Sequence, residues 1–323
     1  MTHTNVNHLN NRIPISRVVI PALLIFTMCG CLSRGPSLGE LELVWGRRGL
    51  SNGRFQKPRA MAIDNADQIY IVDMTGRIQA FATDGQFLRS WRTPNIKNGK
   101  PCGLSFDRDD NLMVADTHYY RVLFYTRDGE LLKDKTIGGT QGHGPGEFGF
   151  VTDAVQDSKG NYYIAEYGDN DRIQMFSKQH QFQLQWGIHG TEPGQFIRPQ
   201  GLAVDDQDRI WVADACNHRI QVFVIDDGKA KLVKIWGDQG RKPGQLRYPY
   251  DLVLDDDCNV YIAEFGNNRI QKFTEDGKSL GCWGTPGRKE GELHQPWALV
   301  RDSNNRIHIL DTYNHRVQRI VGL

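Results

Sequence analysis

GQFIRPQGLAVDDQDRIWVADACNHRIQVF, residues 194–223, decides the fold, because residues 244–273, GQLRYPYDLVLDDDCNVYIAEFGNNRIQKF, restate it almost position for position. Each copy opens G-x-[FL]-x-x-P. A short apolar run follows, then an acidic turn, then a second apolar run ending in Asp or Glu, then Arg, an apolar residue and Gln. Working outward from this pair, weaker copies extend from Trp45 to the last residues. The acid ending the second run falls at Asp73, Asp116, Glu166, Asp214, Glu264 and Asp311, a period of 43 to 50 residues. Four short strands in a unit of that length, repeated six times, predict an all-β six-bladed β-propeller. In the fourth unit the strands are expected at 201–204, 210–213, 220–224 and 231–236. The first two runs are continuously apolar, as for strands covered on both faces. The last two alternate, as for strands nearer solvent. DDQDR, DDDCN, TDGQ and EDGK supply hairpin turns.

The sixth unit stops at Val317-Gln-Arg-Ile-Val321 with no fourth strand. Leu41-Glu-Leu-Val-Trp45-Gly46 matches the ends of other units, QLQWG, VKIWG and LGCWG. The N-terminal strand is therefore expected to complete the last blade and clasp the ring. This assigns residues 41–323 to the propeller and 32–40, with its Gly, Pro and Ser, to a tether. Residues 1–31 have the form of an export signal. Arg12 and Arg17 precede an apolar run at 18–28, which is shorter than the ~20 residues of a spanning helix. Met28-Cys29-Gly30-Cys31 is similar to a bacterial lipobox, with Cys31 as the lipidated residue. The expectation is an exported protein of a bacterial cell envelope, touching the membrane through a lipid anchor only. A net charge of +1 gives no global pull toward nucleic acid, and no nucleic-acid partner is expected. Six cysteines in 323 residues do not make a disulfide framework.

Asn217-His218-Arg219-Ile220 and Asn314-His315-Arg316-Val317 recur with a near copy, Asn267-Asn268-Arg269-Ile270. With the G-x-[FL]-x-x-P opening and the W-G ending, residues 41–323 resemble the NHL-repeat family of six-bladed propellers. The resemblance implies the fold and leaves the activity open, because that family includes sensor domains, protein- and RNA-binding modules, and zinc-dependent peptidyl-hydroxyglycine lyases. In those lyases, three histidines placed directly after the Pro hold the zinc, leaving a position open. Here the corresponding residues are Arg59, Cys102, Thr152, Gln200, Tyr250 and Trp297. No catalytic set, metal or cofactor is therefore expected.

Those six residues should ring the mouth of the central channel. Arg59, Gln200, Tyr250 and Trp297, on four successive blades, suit stacking on and bidentate hydrogen bonding to a protein, peptide or glycan ligand. Around blade one, Arg47, Arg48, Arg54, Lys57, Arg92, Lys97 and Lys100 occur with no acid among them, while the opposite turns are rich in Asp. This asymmetry suits an anionic partner. One acid–arginine pair per unit (Asp73–Arg77, Asp116–Arg121, Glu166–Arg172, Asp214–Arg219, Glu264–Arg269, Asp311–Arg316) is expected to be structural, bracing the loop between the second and third strands. Cys102 with His118, and Cys216 with His218, lack an orienting third group and are taken as structural. The Asp-rich turns lack the spacing of a calcium loop. The functional expectation is a monomeric, envelope-anchored binding or scaffolding module acting through its mouth. A lyase or hydrolase working at the same mouth is the alternative.

Overall fold

In the computed structural model, which describes residues 1–3, 38–168 and 170–322, six four-stranded sheets stand around one axis. The leader and Cys31 lie outside the described residues. Among the described residues no helix is long and apolar enough to cross a membrane.

Blade four shows the pattern: strands Pro199–Val204, Ile210–Asp214, Arg219–Asp226 and Lys229–Trp236, antiparallel in that order from the axis outward. Inner strands of adjacent blades touch all round the ring, and that of blade six, Ala298–Arg301, meets that of blade one, Pro58–Ile63. The ring is clasped by Glu40–Trp45, which pairs antiparallel with Arg316–Val321 from Glu40 opposite Val321 to Trp45 opposite Val317.

Six apolar cores lie between neighbouring blades. The [FL] of the repeated phrase, present as Phe55, Phe148, Phe196, Leu246 and Leu293, is fully buried in the core shared with the preceding blade. The W-G ending serves the same contact. Gly46 has φ +85°, and a Cβ there would lie 2.4 Å from the Phe55 ring. Only glycine accommodates both the left-handed backbone and the neighbouring ring. Blade two lacks the phrase, and its outer strand shrinks to Ile137–Gly138 after a 3-10 turn at Lys133–Lys135.

The third strands differ from expectation. They are buried rather than near solvent: Ile220, Gln221 and Val222 are all inaccessible, and only the outer strands alternate. The polar half of the third strand's alternation is a paired glutamine. Gln221 Nε2 donates to Gln195 O at 2.8 Å and Asp214 Oδ2 at 3.1 Å, and a satisfied amide is tolerated inside.

All six acid–arginine pairs form, at N···O distances of 2.5–3.2 Å. They brace the loop between second and third strands, where Asn217 Nδ2 donates to Asp214 Oδ2 at 2.9 Å, and they hold a second loop as well. Arg219 donates to the carbonyls of Thr191, Glu192 and Gln195, and Asp214 accepts the N–H of Ile197. In every blade but the second the pair thus pins the long loop that leads into its own inner strand; in blade two Asp116 Oδ1 and Arg121 Nη2 are buried without a partner. In blade four the pair satisfies three carbonyls and one N–H of its lead-in loop, which have no ladder partner.

Candidate functional site

The residue after each Pro is aimed into the channel by two local devices. In blades one, three, four and five the register slips at Arg59, Thr152, Gln200 and Tyr250. Such a bulge re-aims one side chain out of the sheet pattern. The residue before the Pro is also left-handed at Lys57, Arg198, Tyr248 and Gln295, with φ between 46° and 58°. That conformation is sparsely populated and needs a tether. The previous blade supplies it. His315 Nδ1 accepts the N–H of Lys57 and His218 Nδ1 that of Tyr248, both at 3.0 Å. Asn268 Oδ1 accepts that of Gln295 at 2.7 Å, and Asp171 Oδ1 that of Arg198 at 2.8 Å. The histidine of the Asn-His-Arg phrase is therefore a latch between blades.

A histidine accepting at Nδ1 must be neutral. Burial, then Arg247, lowers the pKa of His218; burial, then Arg48 and Lys57, lowers that of His315. With the folded value below the unfolded one, the unfolded chain binds more protons, so stability falls as pH drops through the ordinary histidine range. Asn268 performs the same task without titrating. The double replacement His218→Asn, His315→Asn is expected to keep the neutral-pH urea midpoint and make its acid-side decline shallower. A decline identical to that of the wild type speaks against the latch.

The six ring residues line a narrow cavity at the channel mouth together with the residues that follow them. One wall is aromatic. Tyr250 stacks on Phe265 at 4.3 Å between centroids and meets Trp297 edge-on at 5.0 Å. Two guanidinium groups stand over this wall and the facing one. Arg59, from blade one, lies 5.5 Å from the Trp297 ring; Arg198, from blade four, lies 4.8 Å from Tyr167 and 5.5 Å from Tyr250. Arg198 Nε donates to Gln200 Oε1 at 3.0 Å. Arg59 makes no side-chain hydrogen bond or ion pair among the described residues, and Trp297 Nε1 is buried without a partner.

Deeper in the same cavity lie Asp153 and Asp251. Asp153 accepts the N–H of Leu202 at 2.9 Å and Asp251 that of Leu299 at 2.9 Å, so each acid ties its blade to the next. Burial raises both pKa values, Asp251 to about 7, and the charge of Asp251 raises Asp153 further. Gly201 makes room beside Asp251: a Cβ there would sit 2.7 Å from Tyr250 O. These two acids, with Arg198, Tyr167 and Phe265, were not singled out from the sequence. The acids had a signal, since the other four blades carry Gly or Ala two places after the Pro position.

The remaining sequence candidates lie apart. Arg47, Arg48, Lys57, Arg92 and Lys97 are exposed and Arg54 and Lys100 half-buried on the loops around blade one. None has a carboxylate within 4.0 Å among the described residues. Cys102 is not paired with His118: its sulfur accepts from Thr117 Oγ1 at 3.0 Å, while the His118 ring packs on Phe150. Burial raises the Cys102 thiol pKa, which lowers its reactivity. His218, in the same loop as Cys216, has its Nδ1 engaged by Tyr248 N, and Cys102, Cys216, Cys258 and Cys282 are unbridged. Among the described residues no three His, Cys, Asp or Glu side chains group as a metal set.

With this geometry in hand, comparison places the chain among known proteins. The NHL repeat matches at residues 196–223 and 293–320, in blades four and six. NHL repeat-containing protein 3 of Mus musculus is 30% identical over 186 residues, 52% of either chain. Peptidylglycine alpha-amidating monooxygenase of Rattus norvegicus is 36% identical over 138 residues, 39% of this chain and 14% of that one. The chain thus spans about half the length of the first relative and far less of the second. Among solved structures, virginiamycin B lyase from Staphylococcus aureus superposes with a TM-score of 0.57 at 12% identity, over 87% of this chain and 95% of that one. A streptogramin B lyase does so with a TM-score of 0.59 at 11% identity, over 86% of each. At such identities the likeness establishes the propeller fold alone.

Proposed function

We propose that this six-bladed propeller of NHL repeats is a binding module that takes a carboxylate-bearing ligand in the mouth of its channel. The acid lies between Arg59 and Arg198, and the rest of the ligand rests on Tyr250 and Trp297, with Gln200 orienting Arg198. The observation that carries this reading is the Arg59 guanidinium. It is half-buried over Trp297, and its donors are unmatched among the described residues. A rigid fork of donors fits a carboxylate bidentately. The nearby acids are already engaged: Asp153 and Asp251 accept backbone N–H groups from Leu202, Leu252 and Leu299, and Asp171 is committed to Arg198 N and His189. Peptide ends and acidic sugars are the ligand classes that combine a carboxylate with a surface to stack. The lipobox-like run ending at Cys31 supports export and a lipid anchor at a bacterial envelope.

A lyase or hydrolase at the same mouth draws on Asp251, whose pKa near 7 would suit acid–base work. Both of its oxygens already accept backbone N–H groups, from Leu252 and Leu299, which favours the binding reading.

The test is a thermal-shift panel of uronic-acid oligosaccharides and free-acid peptides, with neutral sugars and amidated peptides as controls. Only the carboxylates are expected to raise Tm. Ligand at a hundredfold over Kd stabilises by about 2.7 kcal/mol. Arg59→Ala and Arg198→Ala should each weaken binding about tenfold or more, matching a lost charged hydrogen bond of ~1.5–3 kcal/mol. A shift that survives both replacements overturns the proposal.

A further inference from the structure

We infer that the loops around blade one form a second, separate site, a docking surface for an anionic lipid bilayer. Three observations meet there. First, Arg47, Arg48, Lys57, Arg92 and Lys97 are exposed and lack a carboxylate within 4.0 Å among the described residues. Second, exposed apolar side chains stand among them: Leu50 is 66% exposed, Ile96 37% and Tyr313 37%. These belong to one neighbourhood. Arg77 donates to Leu50 O and Ile96 packs over the adjacent Gly76, while Arg92 donates to Thr75 O. Lys57 lies 4.9 Å from the Tyr313 ring. Third, the acidic turns project from the opposite face, with Asp109, Asp206 and Asp257 among their exposed members.

Basic residues interleaved with apolar and aromatic side chains are the composition that adsorbs to the interface of an anionic bilayer. An acidic polypeptide would be drawn by the charges alone and gives no reason for Leu50 and Ile96 to remain uncovered. The acidic far face adds orientation, since an anionic surface repels it while attracting the blade-one loops.

The experiment is flotation of the full-length protein with vesicles of phosphatidylcholine alone and of phosphatidylcholine mixed with phosphatidylglycerol. Each basic residue near such a surface strengthens partition about fivefold. The wild type should float more with the mixed vesicles, and the excess should vanish at high salt. Charge reversal of Arg47, Arg48, Arg92 and Lys97 together should remove the excess, a loss of a hundredfold or more by that factor. It should leave flotation on phosphatidylcholine unchanged. Leu50→Ser with Ile96→Ser should weaken partition without altering its salt dependence. Arg59→Ala should leave it intact, which separates this surface from the mouth. A charge-reversed protein that floats like the wild type overturns the inference, as does a wild type indifferent to phosphatidylglycerol.

Discussion

Removal of residues 38–45 is expected to cost the whole ring its cooperative fold. Trp45 packs 4.8 Å from Phe81 and 5.9 Å from Phe55 between centroids, so it belongs to the core that joins blade six to blade one. Leu38 is buried between blades five and six, and its N–H is held by Cys282 O at 3.0 Å. Glu42 pairs with Arg319 at 2.6 Å, and Arg319 in turn donates to Thr83 O in blade one. Loss of a buried tryptophan alone costs ~3–5 kcal/mol, against a total of ~5–15 kcal/mol for a typical domain. The deletion also exposes the edge of Arg316–Val321, a template for pairing with other chains. Urea unfolding should show the midpoint collapsing or the transition broadening, and a synthetic peptide of residues 38–46 should restore it. An unchanged midpoint in the truncated protein would show that the ring closes without its clasp.

Asp214→Ala is the second large effect. The carboxylate is inaccessible and accepts from Arg219, Asn217, Gln221 and the backbone of Ile197. Its removal leaves the nearly buried Arg219 without its counter-charge, and Arg219 Nε and the Ile197 N–H without an acceptor. Breaking a buried pair from one side costs ~3–5 kcal/mol. Asp214→Asn keeps one acceptor oxygen and should cost less. The loop 191–197 should open first, seen as faster amide exchange at Ile197 than at the strands of blade four. Full retention of the denaturation midpoint in the alanine variant would mean that the pair is ornamental.

Much of this was legible because repetition exposes what every blade must solve. The acid, the arginine and the glutamine recur together in five blades since their lead-in loops have the same backbone groups to satisfy. The Pro marks the ring because the chain turns into the channel there, so Arg59, Gln200, Tyr250 and Trp297 were located by counting. The third strand was misread because its alternation separates apolar residues from paired glutamines, not core from solvent. Arg198, Tyr167 and Phe265 escaped because their approach to the mouth depends on contacts between blades that are far apart in sequence. Asp153 and Asp251 had a positional signal, but the burial that raises their pKa values comes from the assembled ring.

The most direct test of the account is a crystal structure of the protein bound to whichever carboxylate ligand gives the largest thermal shift. The carboxylate should lie within hydrogen-bond distance of both Arg59 and Arg198, with the ligand against Tyr250 and Trp297. A ligand seated elsewhere on the propeller, with the mouth left empty, would contradict it.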